Sequence, residues 1–189
     1  MIIALNGKKG SGKDTMANYM CEKFGFVNYG FADPIKDVGR ILFDFTDEQL
    51  DGCFKEVEDK FWGIAPRDFF QKFGTDIAQF EFPKYFPGLF RKHDSRAIWV
   101  RIFDFWYSKK LRENPNLKVV ISDLRFKHEY EYLKKMDAYF IRIKSHRNMG
   151  ENFASHISET ELDDIEFNNE VENNGTIEEF YEKIDGLLK

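Results

Sequence analysis

A short apolar run meets a glycine-rich turn near the start of the chain. Ile2-Ile-Ala-Leu-Asn6 leads straight into Gly7-Lys-Lys-Gly-Ser-Gly-Lys13-Asp-Thr15. An apolar run of this length closed by glycines reads as a buried strand. Gly7, Gly10 and Gly12 let the backbone turn tightly and approach an anion without Cβ clashes. A helix opening near Lys13 then presents amide groups that have no intrahelical partner. Strand, glycine loop and helix N-terminus in that order make a phosphate-binding loop, Gly7-x-x-x-x-Gly12-Lys13, with Lys13 placing a point charge on the β/γ-phosphates. Such a loop works only where a strand feeds a helix, so it commits the chain to an α/β fold.

The residue after the lysine is ordinarily Ser or Thr. Here it is Asp14, and the hydroxyl comes one place later at Thr15. In this delay the loop resembles that of adenylate-kinase-like enzymes, which points to small-molecule chemistry.

The rest of the chain alternates strands with helices. Thr15 to Phe24 is helical and stops at Gly25; Phe26 to Tyr29 reads as a second strand. Asp33-Pro34 caps and opens a helix over about Ile35 to Phe45, and Thr46-Asp-Glu-Gln49 offers a capping box for a further short one. Residues 50–65 are irregular, Pro66 starts a helix running to Gly74, and Phe80 to Arg96 reads as loop or broken helix. Ala97 to Arg112 is amphipathic, with Ile98, Ile102, Phe105 and Trp106 at helical spacing.

Beyond it come a strand at Lys118–Ser122, a helix at Phe126–Met136, a strand at Tyr139–Ile143 and a last strand within Ile165–Glu172. The Thr176-x-x-Glu179 capping box then opens a helix to Leu188. This order implies a mostly parallel five-stranded sheet with helices on both faces, a three-layer sandwich whose ligands bind beyond the strands' carboxyl ends. Residues 34–112 are too long for one crossover and are expected to form a helical substrate-binding insertion. The polar stretch at about 145–160 is expected to be a lid loop. The expectation is one domain spanning residues 1–189.

Composition excludes several classes. The 189 residues carry a net charge of −5 with no long Lys/Arg run, which argues against nucleic acid as the main partner. The two cysteines, Cys21 and Cys53, form no Cys-x-x-Cys pair, and the four histidines show no ligand spacing. Met1 leads directly into the first strand, and no apolar stretch reaches the length of a membrane span. The expectation is a cytoplasmic protein with no membrane partner.

Asp123 ends the apolar run Val119-Val120-Ile121-Ser122. A carboxylate there, together with the Thr15 hydroxyl, suits a Mg²⁺ held on phosphates. Arg125 follows two residues on, with its planar fork suited to an acceptor phosphate, and Glu129 one helical turn later could orient it or bind a sugar hydroxyl. Transfer of a phosphoryl group to a phosphate oxygen needs no strong base, because the acceptor is already largely a dianion. Cationic clamps and alignment must carry the catalysis. Arg67 and Arg101 in the helical region, and Arg142 and Arg147 beside the 145–160 loop, are the further candidates.

Several separated segments resemble the deoxynucleoside monophosphate kinases of tailed bacteriophages and large DNA viruses. They are Gly7–Thr15 with its Lys-Asp-Thr; Asp33-Pro-Ile-Lys-Asp37; Arg67 with Gln71 and Gly74-Thr-Asp76; Trp99-Val-Arg-Ile-Phe103; Ser122-Asp-Leu-Arg-Phe126 with His128-Glu129; Ser155-His-Ile-Ser-Glu159; and Asn173-Asn-Gly-Thr-Ile-Glu-Glu179. The resemblance implies a P-loop kinase that phosphorylates a deoxynucleoside 5′-monophosphate with ATP and Mg²⁺, often as a homodimer. ATP binding would fall to Gly7, Lys8, Lys9, Gly10, Ser11, Gly12, Lys13, Asp14 and Thr15, with the metal at Thr15 and Asp123. Ile35, Lys36, Arg67, Gly74, Thr75, Trp99, Asp123, Arg125 and Glu129 would line the monophosphate site. Lys13, Arg67 and Arg125 would be catalytic, Trp99 would pack near the base or sugar, and Arg142 or Arg147 would act from the lid.

The chain looks shorter than phage members between residues 45 and 65. The competing readings are another P-loop metabolite kinase, of the dephospho-coenzyme A or phosphomevalonate type, and a nucleotide-binding switch. The absence of an Asn-Lys-x-Asp guanine-reading motif speaks against a GTPase switch.

Overall fold

The computed structural model describes residues 1–89, 96–146 and 161–188. It divides into two compact units, Met1–Gly30 with Tyr107–Lys189, and Phe31–Trp106.

The first unit holds the sheet. Its strands are β1 (Ile2–Asn6), β2 (Val27–Tyr29), β3 (Val119–Ile121), β4 (Tyr139–Lys144) and β5 (Asn169–Glu172), in the order β2-β3-β1-β4-β5. All four pairings are parallel, with Ile3 opposite Val120 on one side and Tyr139 on the other, and Ile143 opposite Val171. Parallel strands are covered on both faces, and their sequences read as near-continuous apolar runs. The side chains of β1 and β3 are accordingly buried almost throughout, and in β4 those of Phe140, Ile141 and Ile143 are.

Alternation along the strands sorts side chains between the faces. Ile141 and Ile143 join Ile3, Leu5 and Val120 in a core closed by Met16, Ala17 and Met20 of α1 (Lys13–Phe24) and by Phe180 and Ile184 of the C-terminal helix Ile177–Leu188. These two helices are pinned together by the Tyr19–Tyr181 ring stack, 4.0 Å between centroids, and by Lys23 on Asp185 at 2.6 Å. Phe140 points to the other face, where the Tyr130 ring packs on it at 4.4 Å from the helix Lys127–Lys134. Helix, sheet and helix thus make the three layers.

The second unit is helical throughout its regular structure. It contains α2 (Asp33–Phe43), α3 (Asp47–Leu50), α4 (Pro66–Gln71), a wide-turn helix over Lys72–Glu81, α5 (Phe82–Tyr85) and the first part of α6 (Ile98–Glu113). In chain order the remaining helices are α7 (Lys127–Lys134) and α8 (Ile177–Leu188). Its core is aromatic: Phe43, Phe45 and Phe73 surround Phe69 with centroids 5.0 to 6.3 Å apart. Leu50 and Gly39 fit beneath, and a Cβ on Gly39 would meet Phe45, Phe69 and Leu50 at 3.3 to 3.5 Å.

Two sequence expectations change. The helix from Pro66 does not stop at Gly74. It continues with hydrogen bonds reaching five residues back, such as Phe82 N–H to the Ile77 carbonyl, and runs to Tyr85. Pro83 does not break it, because it stands in the first turn of α5, where a proline nitrogen has no bond to lose. The last strand lies within its expected span, at Asn169–Glu172, and ahead of it Arg142 holds the carbonyls of Leu162, Asp163 and Ile165. Helix α2 begins at Asp33 itself, with Ala32 at the cap and the Asp33 carboxylate turned to Lys36.

Candidate functional site

In the first unit, β1 delivers the loop and α1 leaves it, as the sequence requires. Gly7, Gly10 and Gly12 have φ of 155°, 77° and 105°. A Cβ on Gly7 would lie 2.5 Å from the Ile143 carbonyl oxygen and 2.6 Å from Ser11 Oγ, so no other residue fits there. Ser11 N–H closes a turn onto the Lys8 carbonyl at 3.1 Å, and Met16 N–H reaches Gly12 at 2.9 Å, starting the helix.

The Lys13 ammonium folds back over the loop, donating to the carbonyls of Gly7 at 2.6 Å and Lys8 at 2.9 Å. Ser11 is 3% exposed, and its Oγ has no hydrogen-bond partner among the described residues. A buried hydroxyl without a partner is costly. Lys8 pairs with Asp163 at 3.0 Å. Lys9 and Asp14 are exposed, and Thr15 is half-buried in the first turn of α1.

Beside the loop strand, Asn6 donates from Nδ2 to the Leu124 carbonyl at 3.1 Å, tying the end of β1 to the turn that carries Asp123. Asp123 and Arg125 are half-buried there. Glu129, 3% exposed, turns its Oε2 back to accept from the backbone N–H of Arg125 at 2.9 Å and of Phe126 at 3.0 Å. Burial pushes its carboxyl up to about 8, aided by the nearby Asp123 charge and opposed by those two N–H donors. Glu129 therefore fixes the backbone from which Arg125 projects.

Thr15 and Asp123 offer a hydroxyl and a carboxylate to a metal. Among the described residues no group of three or more His, Cys, Asp or Glu converges as a protein-only cage. Two hard oxygen donors, with phosphate and water completing the shell, fit Mg²⁺, which keeps several waters and seldom uses an all-protein site.

The second unit holds the other expected residues. The Arg67 guanidinium is engaged by Glu56, with Nε and Nη2 each 2.9 Å from Oε1, and its backbone N–H is held by the Lys55 carbonyl. Lys36 lies between Asp51 at 2.8 Å and Asp33 at 3.2 Å. Burial works against its charge, but Asp51 and Asp33 outweigh it and hold the ammonium above its ordinary range. Ile35 is buried against Gly74, where a Cβ would come within 2.8 Å of Ile35 Cδ1. Thr75 is half-buried.

Two of the expected site residues make contacts with other protein groups. Trp99 is 6% exposed and donates its indole N–H to the Gly74 carbonyl at 2.8 Å. Gln79 Nε2 reaches the same oxygen at 3.2 Å. Trp99 is thus a strut of the helical core rather than an open stacking platform. Arg142, expected as a lid arginine, caps the 162–165 turn through its carbonyls and lies 4.3 Å from the Phe167 ring centroid. Arg147 and the segment Ser155, His156 and Glu159 lie outside the described residues, as does the expected lid from residue 147 to 160.

The sequence reading missed Glu56, Asn6, Gln79 and Asp163, which are common residue types without a spacing signal. It also assigned no role to Asn173, whose Nδ2 donates to the Ser11 carbonyl at 2.9 Å.

The sequence profile of the deoxynucleotide monophosphate kinase family matches residues 1–64 and 44–184. A protein of Acanthamoeba polyphaga mimivirus, provisionally named a deoxynucleotide monophosphate kinase, is 37% identical over 188 residues, covering 97% of this chain and 94% of its own length. The chain belongs to the deoxynucleotide monophosphate kinase family. The deoxynucleotide monophosphate kinase of Escherichia phage RB69 is 24% identical across an alignment of 259 residues that takes in the whole of this chain and 99% of the phage protein.

Membership in this kinase family makes the chain a nucleotide-binding phosphotransferase. A solved Thermus thermophilus structure, TT1252, superposes with a TM-score of 0.51 at 15% identity, covering 100% of this chain and 96% of that one, which agrees in fold alone. No helix among the described residues is long and apolar enough to cross a membrane.

Proposed function

We propose that this family member transfers the γ-phosphoryl group of ATP to the phosphate of a deoxynucleoside 5′-monophosphate, giving the diphosphate and ADP. The observation that carries the reading is a family match running nearly the whole length of a chain whose glycine loop has the geometry described.

In this reading the loop amides and the residues Gly7 to Thr15 cradle the ATP phosphates. Lys13 leaves the Gly7 and Lys8 carbonyls, and its ammonium moves onto the β/γ-phosphate oxygens. Ser11 Oγ finds in the phosphates the partner it lacks. Lys8 exchanges Asp163 for phosphate in the same way.

Arg125 and Arg67 hold the acceptor phosphate, each by a planar two-point contact. The acceptor is already a dianion, so no residue need take a proton from it. Glu129 acts on the acceptor through the backbone of Arg125. Ile35, Lys36, Gly74 and Thr75 shape the acceptor's surroundings, and Trp99 supports them through the Gly74 carbonyl. Mg²⁺ held by Thr15 and Asp123 would neutralise charge on the transferring group.

The reading takes nucleotides as the partners, with no nucleic acid, in line with the net charge of −5. It takes the protein to be cytoplasmic and, from the family resemblance, a homodimer. A panel of ribo- and deoxyribonucleoside monophosphates, incubated with ATP and Mg²⁺ and read as diphosphate formed, tests it. Diphosphate from at least one deoxynucleoside monophosphate is expected. Turnover of ATP that ignores every monophosphate would overturn it.

A further inference from the structure

The turn between β5 and α8 reaches the phosphate loop, and its geometry is over-determined. Asn173 N–H donates to the Lys144 carbonyl at 2.8 Å, carrying the β4–β5 pairing one step past Lys144 and Glu172. The next residue, Asn174, accepts the His146 N–H on its Oδ1 at 2.9 Å. Thr176 and Glu179 then cap α8 reciprocally, at 2.9 and 3.3 Å. The backbone at 173 is therefore fixed from the sheet side and the helix side before its side chain makes any contact.

That side chain donates from Nδ2 to the Ser11 carbonyl at 2.9 Å. The same amide occupies the space that a Cβ on Gly12 would need. The peptide joining Ser11 to Gly12 is trans, so its N–H points opposite to its carbonyl. Holding the Ser11 carbonyl toward Asn173 aims the Gly12 N–H the other way. Gly12 has φ of 105° and no side chain, so this peptide could rotate at little steric cost were its carbonyl released.

We propose that Asn173 is a positioning residue for ATP binding: its side-chain amide holds the Ser11 carbonyl and so keeps the Gly12 N–H directed at a nucleotide phosphate. The inference rests on the reading of residues 7–15 as the ATP site. It gives the last strand a part in the chemistry, since the end of β5 sets the direction of one donor in the loop. It also explains on two grounds why position 12, which the Asn173 amide faces, is a glycine: the backbone angle and the space already filled.

Titration calorimetry of the full chain with ATP, without acceptor, supplies the test. Asn173→Ala removes the donor and adds no charge. It is expected to weaken ATP binding about tenfold, the loss of one hydrogen bond whose acceptor stays partly buried. In steady-state assays its KM for ATP should rise and kcat should fall, while KM for the monophosphate stays within about twofold.

Asn173→Asp keeps the shape but sets an acceptor against the Ser11 carbonyl, and should weaken ATP further still. Unchanged ATP affinity in Asn173→Ala overturns the inference. So does a parallel loss of ATP affinity, monophosphate affinity and thermal midpoint, which would mark a merely structural residue. Failure of the unmutated chain to bind ATP would instead bring down the phosphate-loop reading on which the inference stands.

Discussion

In the sheet-bearing unit, the hydrogen bonds at Lys13, Ser11 and Arg125 each have a main-chain group on one side. Lys13 rests on two carbonyls, Ser11 is held by Asn173, and Arg125 projects from a turn whose N–H groups are taken by Glu129. In the helical unit the cations are held by side chains instead: Arg67 by Glu56, Lys36 by Asp51 and Asp33. A main-chain group cannot move away without disturbing the element that carries it. Carboxylate partners can, and Glu56 is more than half exposed. The sheet unit thus presents a preset cradle, whereas the helical unit presents cations whose partners a phosphate could replace.

Removing the central charge of the preset cradle should have the largest effect. Lys13→Ala is expected to lower kcat by about a thousandfold, the scale for losing a donor to developing charge, with the thermal midpoint little moved. Near-normal turnover would remove the loop from the chemistry.

The arginines come next. Arg125→Ala and Arg67→Ala should each raise the KM for monophosphate and lower kcat/KM by roughly tenfold to a hundredfold. Glu56→Gln should do the reverse, lowering that KM, because Arg67 no longer has a competing carboxylate. A raised KM in Glu56→Gln would mean that Glu56 aims Arg67 instead, and the contrast between the units would fail there.

The glycines divide in the same way. Gly12→Ala forces a positive φ on a side chain that also strikes Asn173, and should abolish measurable ATP binding. Gly74→Ala meets only the tip of Ile35, which can shift, so the thermal midpoint should change by no more than about 1 kcal/mol's worth of stability. Equal damage from both would show that the helical core is as unyielding as the loop.

The remaining effect is a slope with pH. Glu129 has a folded-state value near 8, above its ordinary 4.5, so between the two the native chain binds the proton that the unfolded chain has lost. That stability is complete below the ordinary carboxyl range and is lost as pH rises through about 8. The midpoint of thermal unfolding should therefore fall with rising pH across this window, and Glu129→Gln should flatten the fall. An unaltered slope would assign the dependence to other groups.

Much of the sheet unit could be read from residue order, because its signals are local. A glycine loop directly after an apolar run, a carboxylate at the end of Val119–Ile121, and a Thr-x-x-Glu box each act within a few residues. The Thr46–Gln49 box in the helical unit was legible for the same reason, and both its hydrogen bonds are present. The wide-turn helix over Lys72–Glu81 was not. Gly74 and Pro83 look like stops, and only contacts 5 and 25 residues away, from Gln79 and Trp99 onto the Gly74 carbonyl, account for it. The contacts of Arg142 were not legible for a related reason: an arginine suited to phosphate serves equally well to gather three carbonyls of a distant turn.

The rim of the sheet at β5 has a consequence of its own. That strand is four residues long, alternates Glu170 and Glu172 outward around buried Val171, and keeps Lys144 clamped on Glu170. A border so brief and so strongly ionic is a poor template for an incoming extended chain. Self-association by adding a ribbon at this edge is thereby discouraged.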